Sequence, residues 1–151
     1  MTNKKNWGKL IIVLFLSVGV PVFLIQRALI NIDSILIMGA DFHFNMISMS
    51  AVIGGFLFTG ISILISAISN ERIQRLWDNN YLDNLYRAAF VGMIGNVLTI
   101  IVAIIYLCVL LPKETGIILI KIEIITIFIA LVFFIWSIIY LVFIVTKMKN
   151  D

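Results

Sequence analysis

The sequence predicts an all-α integral membrane protein: a four-helix antiparallel bundle with both termini in the cytoplasm, residues 1–151 forming a single transmembrane domain. Three observations predict it. The chain is 62% hydrophobic and 13% charged, whereas a soluble domain gives about a quarter of its residues to charge. That leaves too little polar surface to cover a globule. Four apolar runs each supply the roughly 20 residues that a helix needs to cross a hydrocarbon core about 30 Å thick. The lysines and arginines also fall unevenly around those runs.

The first helix is expected over residues 10–30. Its apolar run exceeds the roughly 7–15 residues of a signal-peptide core, and no small-x-small cleavage motif follows it, so it reads as a retained span with a bend at Pro21. The others are expected over 46–68, 88–111 and 124–145. Short connections between long helices favour an antiparallel bundle. Lys4, Lys5, Lys9, Arg72, Arg75, Arg87, Lys147 and Lys149 lie on one side of this topology, and only Arg27, Lys113 and Lys121 on the other. The basic side is expected to be cytoplasmic.

Small and hydroxyl residues organise the second helix. Ser48, Ala51, Gly55, Thr59, Ser62 and Ser66 recur at steps of 3, 4, 4, 3 and 4 and share one face. The third helix carries Ala88, Gly92, Gly95 or Asn96, Thr99 and Ala103, and the fourth carries Thr126, Ala130 and Ser137. Between helices in lipid, close backbone approach and hydrogen bonds drive association, so these stripes predict tight packing of helices two and three. The same groups are also suited to line a pore around an oligomer axis. Asn96 needs partners wherever it is buried, and Thr59, Ser62 or a symmetry mate are the expected ones. Helices one and four are expected to form the lipid-facing shell.

The segment 69–87 is expected to be a cytoplasmic hairpin in which helices two and three continue about two turns and reverse near Asp78-Asn79-Asn80. Arg72, Arg75, Trp77, Tyr81, Tyr86 and Arg87 suit either a headgroup belt or the docking surface of a cytoplasmic protein.

Catalytic constellations are not found. Asp41-Phe42-His43 falls short of the three or more ligands of a metal site, and Phe42 and Phe44 make it read as an interfacial anchor. Lys121 and Glu123, two apart and so on different sides of a helix, likewise read as interfacial anchors at a helix end. With a single cysteine, Cys108, no internal disulfide forms. No cofactor, metal or nucleic acid is expected, and the chain is not expected to be an enzyme. No charged residue is expected near the middle of a helix, which disfavours a small transporter.

The run Gly54-Gly55-Phe56-Leu57-Phe58-Thr59-Gly60, followed by the 69–87 hairpin in a small four-helix chain rich in isoleucine, resembles small membrane subunits of bacterial antiphage systems of the Kiwa type. The resemblance implies a homo-oligomer of the inner membrane that senses phage-induced disturbance and docks a cytoplasmic effector. It assigns no role to individual residues. The expected function is therefore a non-enzymatic sensor or anchor subunit in contact with membrane lipid. An oligomeric ion channel or permeabilising effector is the alternative, and a small transporter comes next.

Overall fold

The structure is a computed structural model that describes residues 4–66 and 81–150. The described residues fold into α1 (Lys4–Gln26), α2 (Ile32–Met38), α3 (Ala40–Ser66), α4 (Tyr81–Cys108) and α5 (Lys113–Asn150), with no strand among them. Four of these helices are long and apolar enough to cross a membrane, which confirms the helical membrane bundle. Their limits differ from expectation. The third span covers residues 82–108 of α4, close to its expected place, but α3 and α5 begin well before 46 and 124.

The early start of α3 has a local cause. Asn31 caps the unexpected short helix α2, its Oδ1 accepting from the backbone N–H groups of Asp33 and Ser34. Gly39 then turns the chain at φ 57°, a left-handed value that a side chain disfavours, and α3 starts at once. Residues 31–45, which the expected helices at 10–30 and 46–68 leave as an external loop, are thus mostly helical. The early start of α5 follows Pro112, which suits the entry to a helix and precludes continuation of the previous one.

The α4–α5 pair forms the spine, running antiparallel in a regular register. Gly95 lies against Ala130, and one turn either way Thr99 meets Thr126 and Gly92 meets Phe133. α3 packs chiefly on α4, and α1 packs on α5. The expectation that helix four belongs to the shell is therefore wrong: α5 touches α1, α2, α3 and α4. α1 remains peripheral, burying Ser17 and Pro21.

The small-residue stripe of α3 is also placed differently from expectation. Ala51, Gly55, Thr59, Ser62 and Ser66 are exposed, and α3 buries His43, Ser50, Ile53 and Leu57 instead. The reason is complementarity. A Cβ on Gly92 would come within 2.9 Å of Leu57 Cδ1, so the glycine on α4 provides the hollow and the leucine on α3 fills it. One small partner is enough for close approach.

The end of the bundle away from the α4–α5 turn is closed by Leu82, Leu85 and Ile144, with Leu64 of α3 against them, and a groove lies next to this cluster. There α3 and α5 part around an apolar groove of about 380 Å³, walled by Phe56, Gly60 and Ile61 on one side and Phe134 and Ile138 on the other, over a floor at Ala89.

Candidate functional site

A line of buried polar groups runs down the inner faces of α3, α4 and α5, and its first member is an acid–base pair. His43 sits one turn into α3 and Glu123 in the third turn of α5, with Nδ1 and Oε2 2.6 Å apart. Their side chains are 1% and 0% exposed. Tyr106, near the end of α4, stacks on the imidazole at a centroid distance of 3.8 Å and 28° between planes. Phe42 closes another side, edge-on to the imidazole at 5.3 Å. The stretch from Glu123 to Thr146 rises about 35 Å at the helical pitch, somewhat more than the roughly 30 Å hydrocarbon core. The pair therefore lies toward the Lys113 end of the apolar Lys113–Thr146 span, enclosed by protein.

Deeper in, the Thr126 hydroxyl donates to the backbone carbonyl of Glu123 at 3.0 Å and accepts from Thr99 Oγ1 at 2.9 Å. Thr99 Oγ1 also lies 2.9 Å from the Gly95 carbonyl. Asn96 donates Nδ2 to the Gly92 carbonyl at 2.8 Å and faces Gly54 of α3. Its expected partners are thus replaced: Thr59 and Ser62 point outward, and its own helix takes the amide proton. Ser50 lies one turn before Gly54 on α3 and is fully buried. Three oxygens on these faces have no hydrogen-bond partner within the described chain, namely Glu123 Oε1, Ser50 Oγ and Asn96 Oδ1. Leaving such an atom unsatisfied costs about 1–3 kcal/mol each.

The chemistry of the pair depends on its proton count. As imidazolium with carboxylate, or as neutral imidazole with carboxylic acid and the proton in the short contact between them, His43 and Glu123 are jointly neutral and hydrogen-bonded. Adding a proton leaves a lone buried imidazolium. Removing one leaves a lone buried carboxylate. Either is costly in a low-dielectric interior. Other ionisable side chains at this end are solvent- or lipid-facing: Asp33 on α2, Asp41 on α3, Cys108 on α4, and Lys113, Glu114 and Lys121 on α5 are all exposed. Tyr106 is the ionisable side chain recorded in ring contact with the pair.

Of the residues singled out in the sequence, Gly92, Asn96 and Thr99 are buried on the inner face of α4. Arg72, Arg75 and Trp77 lie outside the described residues. Tyr81 begins α4, and Tyr86 and Arg87 are half-buried on it, with Arg87 Nη2 bonded to Asp83 Oδ2 at 2.5 Å. Among the described residues, no group of three or more histidine, cysteine, aspartate or glutamate side chains is placed to hold a metal. The readings of His43 as an interfacial anchor and of Glu123 as a snorkelling end charge are corrected, since both point into the bundle. The signal was present in spacing. Glu123 precedes Thr126 by three residues and extends the Thr126–Ala130–Ser137 stripe by one turn, and His43 precedes Ser50 by seven.

Four spans around an enclosed acid–base pair define a multi-pass helical membrane protein with an ionisable interior. No protein-family model, curated protein or solved structure matches the chain.

Proposed function

We propose that the chain is a non-enzymatic subunit of a bacterial inner membrane that senses its surroundings through the His43–Glu123 pair and signals through the arrangement of α3 against α5. The observation that carries this reading is the 2.6 Å contact between two fully enclosed ionisable groups on different spans. Ionisable side chains inside membrane spans are costly and by default point to function. The pair joins α3 directly to α5, two helices that otherwise meet mainly through α4 and part around the apolar groove at the other end. A gain or loss of one proton therefore acts on a direct α3–α5 contact that is much sparser than the α3–α4 and α4–α5 packing. In this reading the positive-inside charge pattern sets both termini and the 69–87 hairpin in the cytoplasm, where Arg72, Arg75 and Trp77 meet a protein partner. Antiphage defence is the process that the resemblance suggests.

Infrared difference spectroscopy on protein in lipid bilayers tests the proposal. A pH change should move a carboxyl band that disappears in Glu123→Gln and shifts in His43→Gln. A spectrum with no band assignable to Glu123 at any pH at which the protein stays folded would end the sensing account.

A second reading concerns self-association. The outward face of α3 bears Ala51, Gly55, Thr59, Ser62 and Ser66, which the chain's own packing does not use. This supports a homo-oligomer formed along that face, with an ion-conducting assembly as its extreme form. Crosslinking between cysteines placed at 55 should capture a dimer, and a uniformly monomeric protein in bilayers would exclude it.

A further inference from the structure

We infer that a file of water molecules enters the bundle beside the α4–α5 turn, passes Tyr106, and runs along the Glu123, Ser50 and Asn96 oxygens to about mid-membrane. This goes beyond the sensing reading and stands without it, because it rests on hydrogen-bonding capacity and not on titration. Glu123 Oε1, Ser50 Oγ and Asn96 Oδ1 are buried, polar and without a partner in the described chain. The orientation of the Asn96 amide follows from its neighbours: only Nδ2 can donate to the Gly92 carbonyl, so Oδ1 is the free atom. The usual solution for buried groups of this kind is internal water, which makes about three hydrogen bonds per molecule.

The three residues lie on faces that look toward one another. His43 and Ser50 are two turns apart on the buried face of α3. Gly54, one turn further, is the α3 residue that Asn96 faces: a Cβ added there would stand 3.5 Å from Asn96 Cβ. Glu123 joins the top of this face through His43. From Tyr106 to Asn96 along α4 the descent is about 15 Å, which is close to half the hydrocarbon thickness.

An entrance adjoins the top of the line. A crevice of about 270 Å³ at the α4–α5 turn is lined by Leu36, Tyr106, Pro112, Lys113 and Gly116 and has polar as well as apolar walls. Tyr106 belongs to both places: one part of its ring borders this crevice, and its face covers His43. Gly116 lies under the ring edge, where a Cβ would stand 3.3 Å from Tyr106 Cε2. Tyr106 is thus the gate between the crevice and the track.

Water-edited solid-state NMR on the wild-type chain in phospholipid bilayers tests this. Magnetisation from water should reach the Asn96 side-chain amide and the Glu123 carboxylate several-fold faster than Phe133 and Ala130, which are equally buried. Build-up at Asn96 no faster than at Phe133 would overturn the proposal. Ser50→Ala then tests the route, removing the middle hydroxyl without adding bulk at this fully buried position. Build-up at Asn96 should slow while Glu123 stays unchanged, and an unaltered rate at Asn96 would refute the path through Ser50. If the variant does not fold, the wild-type comparison still decides.

Discussion

Replacing Gly95 by valine should wedge the spine of the bundle apart. A Cβ at residue 95 would stand 3.1 Å from the Ala130 backbone nitrogen and 3.2 Å from its Cα and Cβ. None of those atoms belongs to a side chain that can rotate away, so α5 itself must move. Overpacking of this kind costs about 1–3 kcal/mol. The displacement also stretches the Thr99–Thr126 bond one turn away, and intramembrane bonds contribute roughly 0.6–2 kcal/mol. Gly55→Val on α3 is the matched control, because a Cβ there meets nothing within 4 Å. Compared as monomers, it carries the same change in helix propensity with no change in packing inside the bundle. Reversible unfolding in bilayers or mixed micelles should place Gly95→Val about 2–4 kcal/mol below Gly55→Val. Equal stability of the two variants, or a greater loss at Gly55, would refute the α4–α5 register and the outward placement of the α3 stripe.

Other expectations follow from the same geometry. In a double-mutant cycle, His43→Ala and Glu123→Ala should each destabilise by about 3–5 kcal/mol, and the double variant should lose far less than their sum because each single variant strands a buried partner. Thr99→Val and Thr126→Val should each cost roughly 0.6–2 kcal/mol and be clearly non-additive in the same unfolding assay, since they break one shared bond. Cys108 is exposed at the end of α4. With the termini in the cytoplasm, a membrane-impermeant maleimide should label it from outside intact cells, and labelling only after lysis would reverse the orientation.

Much of the architecture was legible because the bilayer imposes a length and composition on every span, and that signal is read directly along the chain. The pairing of helices was not legible in the same way. The stripes on α3 and α4 looked equivalent, yet only that of α4 faces a neighbour, because Gly92 and Gly95 take in Leu57 from α3 and the backbone of α5. A stripe shows which face can approach closely, and it does not say whether the partner is another span or the surroundings. The site was missed for a related reason. His43 and Glu123 each sit within two or three turns of a helix end, where a charge can reach the interface, and they are far apart in sequence. Only the meeting of α3 and α5 turns two ordinary end charges into an enclosed pair. Asn96 and Thr99 lie on the stripe that periodicity marks and are buried, but their partners depend on the α4–α5 register, which periodicity alone leaves open.

The central claim is that proton exchange at His43–Glu123 controls how α3 sits against α5. Spin labels at residues 44 and 121, exposed on α3 and α5 on either side of the pair, with Cys108→Ser to remove the native thiol, report that separation directly. The account predicts one narrow distance distribution where the pair is jointly neutral. It predicts a longer, broader one when pH is moved far enough in either direction to leave a lone charge, and no such change on the alkaline side in Glu123→Gln, which cannot form the lone carboxylate. A wild-type distribution that does not respond to pH, or an identical response in Glu123→Gln, would contradict it.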